Sequence, residues 1–155
     1  MNTENQRSTG PMRQHLSPSE VLQAMHREAT WLFNLEHEKV LILALTGGGF
    51  ITMGALFSVL LSADVEITGL NLLLQGLGFS TGFYMIILSR AVLFTEANVL
   101  VPASMLQKSS REIWMRAFQF WCLAWVGNSL GAYIVGTAVM YAQSYPEGVH
   151  AALRG

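Results

Sequence analysis

The feature that most constrains this chain is an apolar segment too long to cross a membrane as one helix. Residues 67–106, forty in number, carry only two charges, Arg90 and Glu96. As one straight helix the segment would be roughly 60 Å long, about twice the hydrocarbon thickness of a bilayer. The helix must therefore break, and polar residues predict the break near residues 89–98. Irregular backbone inside a membrane is tolerated only within protein or beside a polar cavity, so the break predicts a pathway.

Two further apolar runs predict a membrane helix on each side of this segment. Charged residues make up 12% of the chain, against about 25% in ordinary soluble domains. None falls in residues 40–62 or 117–146, and each run exceeds the roughly 20 residues that a spanning helix needs. We therefore predict an all-α membrane protein with a membrane domain at residues 39–141. Its three crossings are expected at about residues 40–62, 70–106 (broken near 89–98) and 117–141.

The basic residues predict the orientation of the chain in the bilayer. Seven of them precede the first crossing or connect the second to the third, and one follows the third. Basic residues concentrate on the cytoplasmic side of membrane proteins. We therefore expect a cytoplasmic amino terminus and an extracytoplasmic tail at residues 142–155. The seven are Arg7, Arg13, Arg27, Lys39, Lys108, Arg111 and Arg116, and the eighth is Arg154.

The segment before the first crossing divides at Ser17. Residues 1–16 are polar, and we expect a disordered cytoplasmic tail there. Ser17-Pro18-Ser19-Glu20 then has the pattern of a helix start, with a capping serine, proline at the first helical position and the glutamate of a capping box. Apolar residues follow at helical spacing, so residues 17–38 are predicted to form an amphipathic helix at the cytoplasmic interface.

Glycines in the apolar runs predict close packing between the helices. Gly78 and Gly82 form one pair of small residues four apart, and Gly127 and Gly131 form another. Such pairs let helix backbones approach closely, either within a bundle or between two copies of a chain. We favour packing within the bundle. Helices held this close leave a narrow passage, suited to small solutes.

Two motifs resemble the formate/nitrite transporter family. Leu93-Phe94-Thr95 matches the family's signature in the break of its second transmembrane helix. Gly127-Asn128, followed by a small residue, an apolar residue and Gly131-Ala132, resembles the pattern of its third helix. The likeness extends over residues 17–141, which is nearly the whole chain.

The resemblance implies an architecture, an activity and a location. Family subunits have six spans in two inverted halves of an aquaporin-like fold, and an omega-type loop breaks the second span. This chain would supply one such half. Five subunits form a ring in which each keeps its own pore, so a homo-pentamer is expected. The resemblance also implies passage of small monovalent anions such as formate or nitrite, and a place in the bacterial inner membrane.

The resemblance further implies which residues line the pore. Leu93, Phe94 and Thr95 are expected along it, with Phe94 at a hydrophobic constriction and Thr95 presenting its hydroxyl to the permeant ion. Phe83 is expected at an outer constriction, and Asn98 in the restarted helix. Thr95 is also a candidate to cap that helix.

Arg90 and Glu96 complete the candidate pathway and allow three interpretations. Ionisable groups are costly at membrane depth, so each needs a partner or access to water. The two side chains form a mutual ion pair, or Arg90 attracts anions, or both extend to the interface.

The chain departs from the family pattern in two ways. Val92 stands where relatives commonly carry an acidic residue, and Glu96-Ala97-Asn98 stands where Gly-Asn often follows the signature. Only three of six crossings are present, so we expect transport as part of a longer or oligomeric assembly. The alternative is a non-transporting membrane interaction protein or a remnant half-transporter.

Other classes of function find little support in the sequence. We recognise no pattern for an enzyme, a metal site, a cofactor or a nucleic-acid interface. The expected partners are the lipid bilayer, a small anionic substrate and further copies of the chain.

Overall fold

A computed structural model describes residues 17–107, 110–142 and 149, with side chains left out at 103–107. Over these residues the chain is entirely helical, as predicted, and contains no strand. The tail expected at residues 1–16 lies outside the described residues, as does most of the tail expected at 142–155. The five helices are α1 (Pro18–Phe33), α2 (His37–Ser62), α3 (Thr68–Ser89), α4 (Phe94–Gln107) and α5 (Arg111–Tyr141).

The start of α1 carries the predicted capping box. The Glu20 backbone N–H donates to the Ser17 hydroxyl oxygen, and the Ser17 backbone N–H donates to the Glu20 carboxylate at 2.7 Å. Hydrogen bonds from the Ser17 hydroxyl and backbone N–H hold the pKa of the Glu20 carboxyl below its ordinary value. The helix ends at Phe33, five residues short of the predicted segment, because the chain turns and α2 begins at His37.

Three of the helices are long and apolar enough to cross a membrane. They are α2, α3 and α5, with 26, 22 and 31 residues. Helix α4 has 14 residues, or about 21 Å, which is shorter than a hydrocarbon core of roughly 30 Å. The predicted broken crossing therefore consists of α3, a short interruption and α4.

Helix α2 is the centre of the bundle, and glycines bring its two neighbours close to it. Helix α3 runs antiparallel to α2, so that Gly82 lies beside Gly54. Helix α5 runs parallel to α2, with Gly127 against Ala44. The glycine pairs of α3 and α5 thus face α2, which confirms the prediction of packing within the bundle.

Helices α1 and α4 form a smaller packed unit beside this bundle. Their apolar faces meet one another and the first half of α5, where the rings of Phe33 and Phe120 lie edge to face at 5.8 Å. The buried members of this cluster are Ala29, Leu32, Val40, Ala44, Val92, Ala97, Leu100, Val101, Ala117, Phe120 and Ala124. The cluster joins α1 to the break between α3 and α4, because Val92 lies within that break.

The packing of α3 on α2 can be tested with two glycines of the same helix. A methyl group at Gly82 would lie 2.7 Å from the Phe50 carbonyl oxygen, whereas at Gly76 it would meet nothing within 4 Å. We expect Gly82→Ala to lower the free energy of unfolding by about 1–3 kcal/mol through overpacking. Gly76→Ala should leave it unchanged or raise it by up to about 1 kcal/mol, since alanine favours a helix. Unfolding in detergent micelles measures both, and equal effects would contradict the close contact.

Candidate functional site at the break between α3 and α4

Helix α3 ends in a left-handed turn at Arg90. This residue has φ 54° and ψ 33°, and it is the one non-glycine residue with positive φ in the described chain. The Ala91 N–H donates to the Ile86 carbonyl and the Arg90 N–H to the Ile87 carbonyl, as in a Schellman motif. Glycine is usual at this position, and another residue there costs about 1–2 kcal/mol. The Arg90 side chain is therefore present in spite of the backbone preference.

The interruption covers residues 90–93 and is shorter than the predicted break at 89–98. Ser89 is still helical, and its hydroxyl donates to the Ile86 carbonyl. The new helix begins at Phe94, so Thr95 lies inside it and does not cap it. An acidic residue in the first turn favours a helix start, and Glu96 occupies that turn. Polar residues that predicted irregular backbone thus belong to the start of α4.

Asn128 of α5 holds the interrupted backbone in place. Its side-chain N–H groups donate to the carbonyl oxygens of Val92 at 2.9 Å and Ala44 at 2.7 Å. Its side-chain oxygen accepts from the Phe94 N–H at 2.9 Å. These three contacts fix which end of the amide is nitrogen. One side chain thereby joins α2, the break and the start of α4.

The Val92 N–H completes this arrangement by donating to the Leu43 carbonyl of α2 at 3.2 Å. Both backbone polar groups of Val92 are therefore hydrogen-bonded within protein, which is what irregular backbone requires at membrane depth. Asn128 was not among the site residues predicted from the sequence. The available signal was its place in the Gly127-Asn128 motif within a charge-free run, but nothing in the sequence identified its partners.

Three of the predicted site residues line one cavity. Arg90, Leu93 and Glu96 border a cavity of about 220 Å³, together with Glu28 and Trp31 of α1. Leu93 is buried, and its neighbours there are Ile86 and Ala91, with Phe50 and Ile51 of α2 packed against them. The cavity lies between the amphipathic helix and the break.

The other predicted site residues do not border this cavity. Phe94 is half-buried and packs against the cluster that joins α1, α4 and α5. Thr95 and Asn98 have exposed side chains on α4. Phe83 lies on α3, where 42% of it is exposed and its ring meets that of Phe79 edge to face at 5.5 Å.

The interpretation of Arg90 and Glu96 as a mutual ion pair is wrong. Within the described residues, ion pairs join Lys39 to Glu36 and Arg116 to Glu112. The Arg90 guanidinium instead lies over the Trp31 ring, 5.8 Å from its centroid. This is the geometry of a cation–π contact, and it joins the end of α3 to α1.

Comparison with known proteins identifies the family of the chain. The protein-family model for the formate/nitrite transporter matches residues 19–154. The chain belongs to the formate/nitrite transporter family. It is also similar to inner membrane protein YfdC of Escherichia coli (strain K12), with 29% identity over 115 residues, covering 73% of this chain and 37% of that protein. The chain thus spans about 37% of the length of that relative.

Family membership and the three long apolar helices make this chain a multi-pass membrane protein. Val92, which stands where an acidic residue was expected from the family pattern, has an apolar environment in this structure. The Val92 side chain is 5% exposed and belongs to the apolar cluster around α1 and α4. A carboxylate at this position would be buried among apolar side chains, which is costly without a partner.

We expect Asn128→Ala to destabilise the fold at the break. The Val92 carbonyl and the Phe94 N–H would both lose their partner, and each unsatisfied buried group costs about 1–3 kcal/mol. The free energy of unfolding in detergent should fall by roughly 2–5 kcal/mol. Ser129→Ala is the matched control, because Ser129 is exposed on the same helix. Equal free energies of unfolding for the two variants would show that the Asn128 side chain does not hold the break.

Proposed function

We propose that this chain forms part of a narrow membrane pore for small monovalent anions of the formate and nitrite type. The observation that carries the proposal is the interruption of a helix within the apolar bundle. Leu43, whose carbonyl accepts from the Val92 N–H, is about 9 Å along α2 from its first residue at 1.5 Å per residue. Asn128 lies past the midpoint of α5. Both partners lie in runs free of charged residues, 40–62 and 117–146, which supports a break at membrane depth.

We assign the pore roles to the residues of the signature and their neighbours. Leu93 and Phe94 form an apolar constriction, Thr95 presents a hydroxyl to the permeant ion, and Phe83 belongs to a second constriction. An apolar constriction favours neutral species, because a bare anion there loses its hydration. We therefore propose that the anion takes up a proton and passes the constriction as the neutral acid.

Exposed polar side chains on α4 support a pore face there. Thr95 and Asn98 lie three residues apart on the helix and are exposed in the described chain. Positions three apart lie on the same face of a helix. Acyl chains satisfy no hydrogen bond, so this face is better suited to water or to further protein. Glu96 lies next to it, at the edge of the cavity with Arg90.

The pore is proposed to need more protein than this chain provides. The chain spans about 37% of the length of YfdC, and large apolar residues are exposed on α3 and α5. We propose that a further set of spans completes each pore and that five subunits form a ring. The orientation follows from the basic residues, with the amino terminus and residues 17–38 on the cytoplasmic side. The name of YfdC supports a place in the bacterial inner membrane.

The second candidate is a membrane interaction protein that does not transport. It is favoured by one observation, since Phe94, Thr95, Asn98 and Phe83 do not border the cavity that contains Arg90. Liposome swelling separates the two candidates. Liposomes that contain the full chain, in the assembly extracted from membranes, should swell in formate faster than empty liposomes. Equal swelling would favour the interaction protein.

The proposed constriction predicts an effect of Phe94→Ala on selectivity. Truncation of the ring should widen the passage, so that lactate enters more readily relative to formate. We expect the formate-to-lactate flux ratio to fall by about tenfold or more, since even one methylene is worth about tenfold in a fitted apolar pocket. Phe118→Ala is the control, because 65% of Phe118 is exposed on α5. An unchanged flux ratio in Phe94→Ala would rule out Phe94 as the constriction.

A further inference from the structure

We propose that Arg90 recognises the anion at the entrance to the pathway through the paired N–H groups of its guanidinium, and that Trp31 of α1 positions this guanidinium. The inference rests on the proposed function and adds to it a mode of anion recognition and a residue from α1. Trp31 was not among the residues predicted from the sequence.

The first support is the backbone at Arg90. Its φ of 54° lies in the region where glycine is favoured, and it closes the turn that ends α3. The turn itself gives no reason for a long cationic side chain. A residue that opposes the local backbone preference points to a role for the side chain.

The second support is the availability of the guanidinium. Arg90 is exposed and touches the Trp31 ring, and no carboxylate of the described residues lies within ion-pair distance of it. Contact with the face of a ring leaves the N–H groups at the edge of the guanidinium free. Two parallel N–H groups match two oxygens on one atom, as in formate or nitrite, better than they match hydrosulfide, which has a single acceptor atom.

The third support is the placement of Arg90 relative to the proposed constriction. Arg90 and Leu93 border the same cavity of about 220 Å³, and Leu93 begins the signature. An anion held by Arg90 would therefore lie next to the constriction.

Two carboxylates make Arg90 decisive for the charge of this cavity. Glu28 and Glu96 also border it, and Arg90 is the cation among its lining residues. With Arg90 replaced by a neutral residue, two acidic side chains would face an incoming anion without a compensating charge. The effect of such a variant should therefore be larger at low salt, where charges are less screened.

Arg90→Gly is the most informative variant, because glycine fits the left-handed turn and should preserve the fold. We expect the formate concentration for half-maximal flux to rise about tenfold, the size of one lost contact of about 1.4 kcal/mol. Arg90→Lys should also raise it for formate but leave hydrosulfide less affected, because it keeps the charge and loses the paired donors. Trp31→Leu should shift formate in the same direction. Arg27→Gln on the exposed face of α1 is the charge-matched control.

Two results would overturn the inference. One is an Arg90→Gly variant in which the formate concentration for half-maximal flux is unchanged. The other is full recovery of Arg90→Gly by adding Glu96→Gln, which would show that Arg90 only neutralises a carboxylate. If the unmodified protein carries no formate, the proposed function fails but the inference is still decided by binding. Formate titration in detergent should then change tryptophan fluorescence saturably, and the change should be absent in Arg90→Gly and Trp31→Leu.

Discussion

The arrangement of the break depends on the hydrogen bonds of one amide side chain. A helix that stops inside an apolar bundle leaves backbone N–H and C=O groups that lipid cannot satisfy. Asn128 supplies a donor for Val92 and an acceptor for Phe94. It reaches them because glycines on either side of it let α5 approach α2, with Gly127 against Ala44 and Gly131 against Leu45. Close helix packing and the broken helix are therefore parts of one structural solution.

This solution gives the helices different environments. Helix α2 has a neighbour on two sides and buries four of its glycines, whereas α3 and α5 each present apolar side chains outward. Helices α1 and α4 pack on one another and on the start of α5. The break lies between the two groups, since Val92 bonds to α2 and its side chain packs with α1 and α4. Contact between Arg90 and Trp31 adds a second link from α1 to the end of α3.

Short sequence patterns predicted the helices, whereas contacts between residues far apart in the chain determine the bounds of the break and the partners of its side chains. Charge-free runs predicted α2 and α5, and the length of the apolar segment 67–106 predicted a broken crossing that begins with α3. Ser17 with Glu20 predicted the capping box, because that signal lies within one element. The width of the break was not predictable. It depends on Asn128, whose partners Phe94, Val92 and Ala44 are 34, 36 and 84 residues away in the chain. The same holds for Arg90. Its side chain contacts Trp31, 59 residues away in the chain, and forms no ion pair with Glu96, which is only six residues away.

Helix α4 has two polar edges with different surroundings. This difference bears on the route that an ion would take past the helix. One edge carries Glu96 and faces the cavity beneath α1. The other carries Thr95 and Asn98, which are exposed. The Thr95 hydroxyl and the Asn98 amide would find no hydrogen-bond partner among acyl chains, so contact of this edge with lipid is unfavourable. If the first edge receives the anion and the second lines the narrow passage, the ion must move around the start of α4. That start is the turn whose first N–H is bound by Asn128, so the path would follow the best-anchored part of the break.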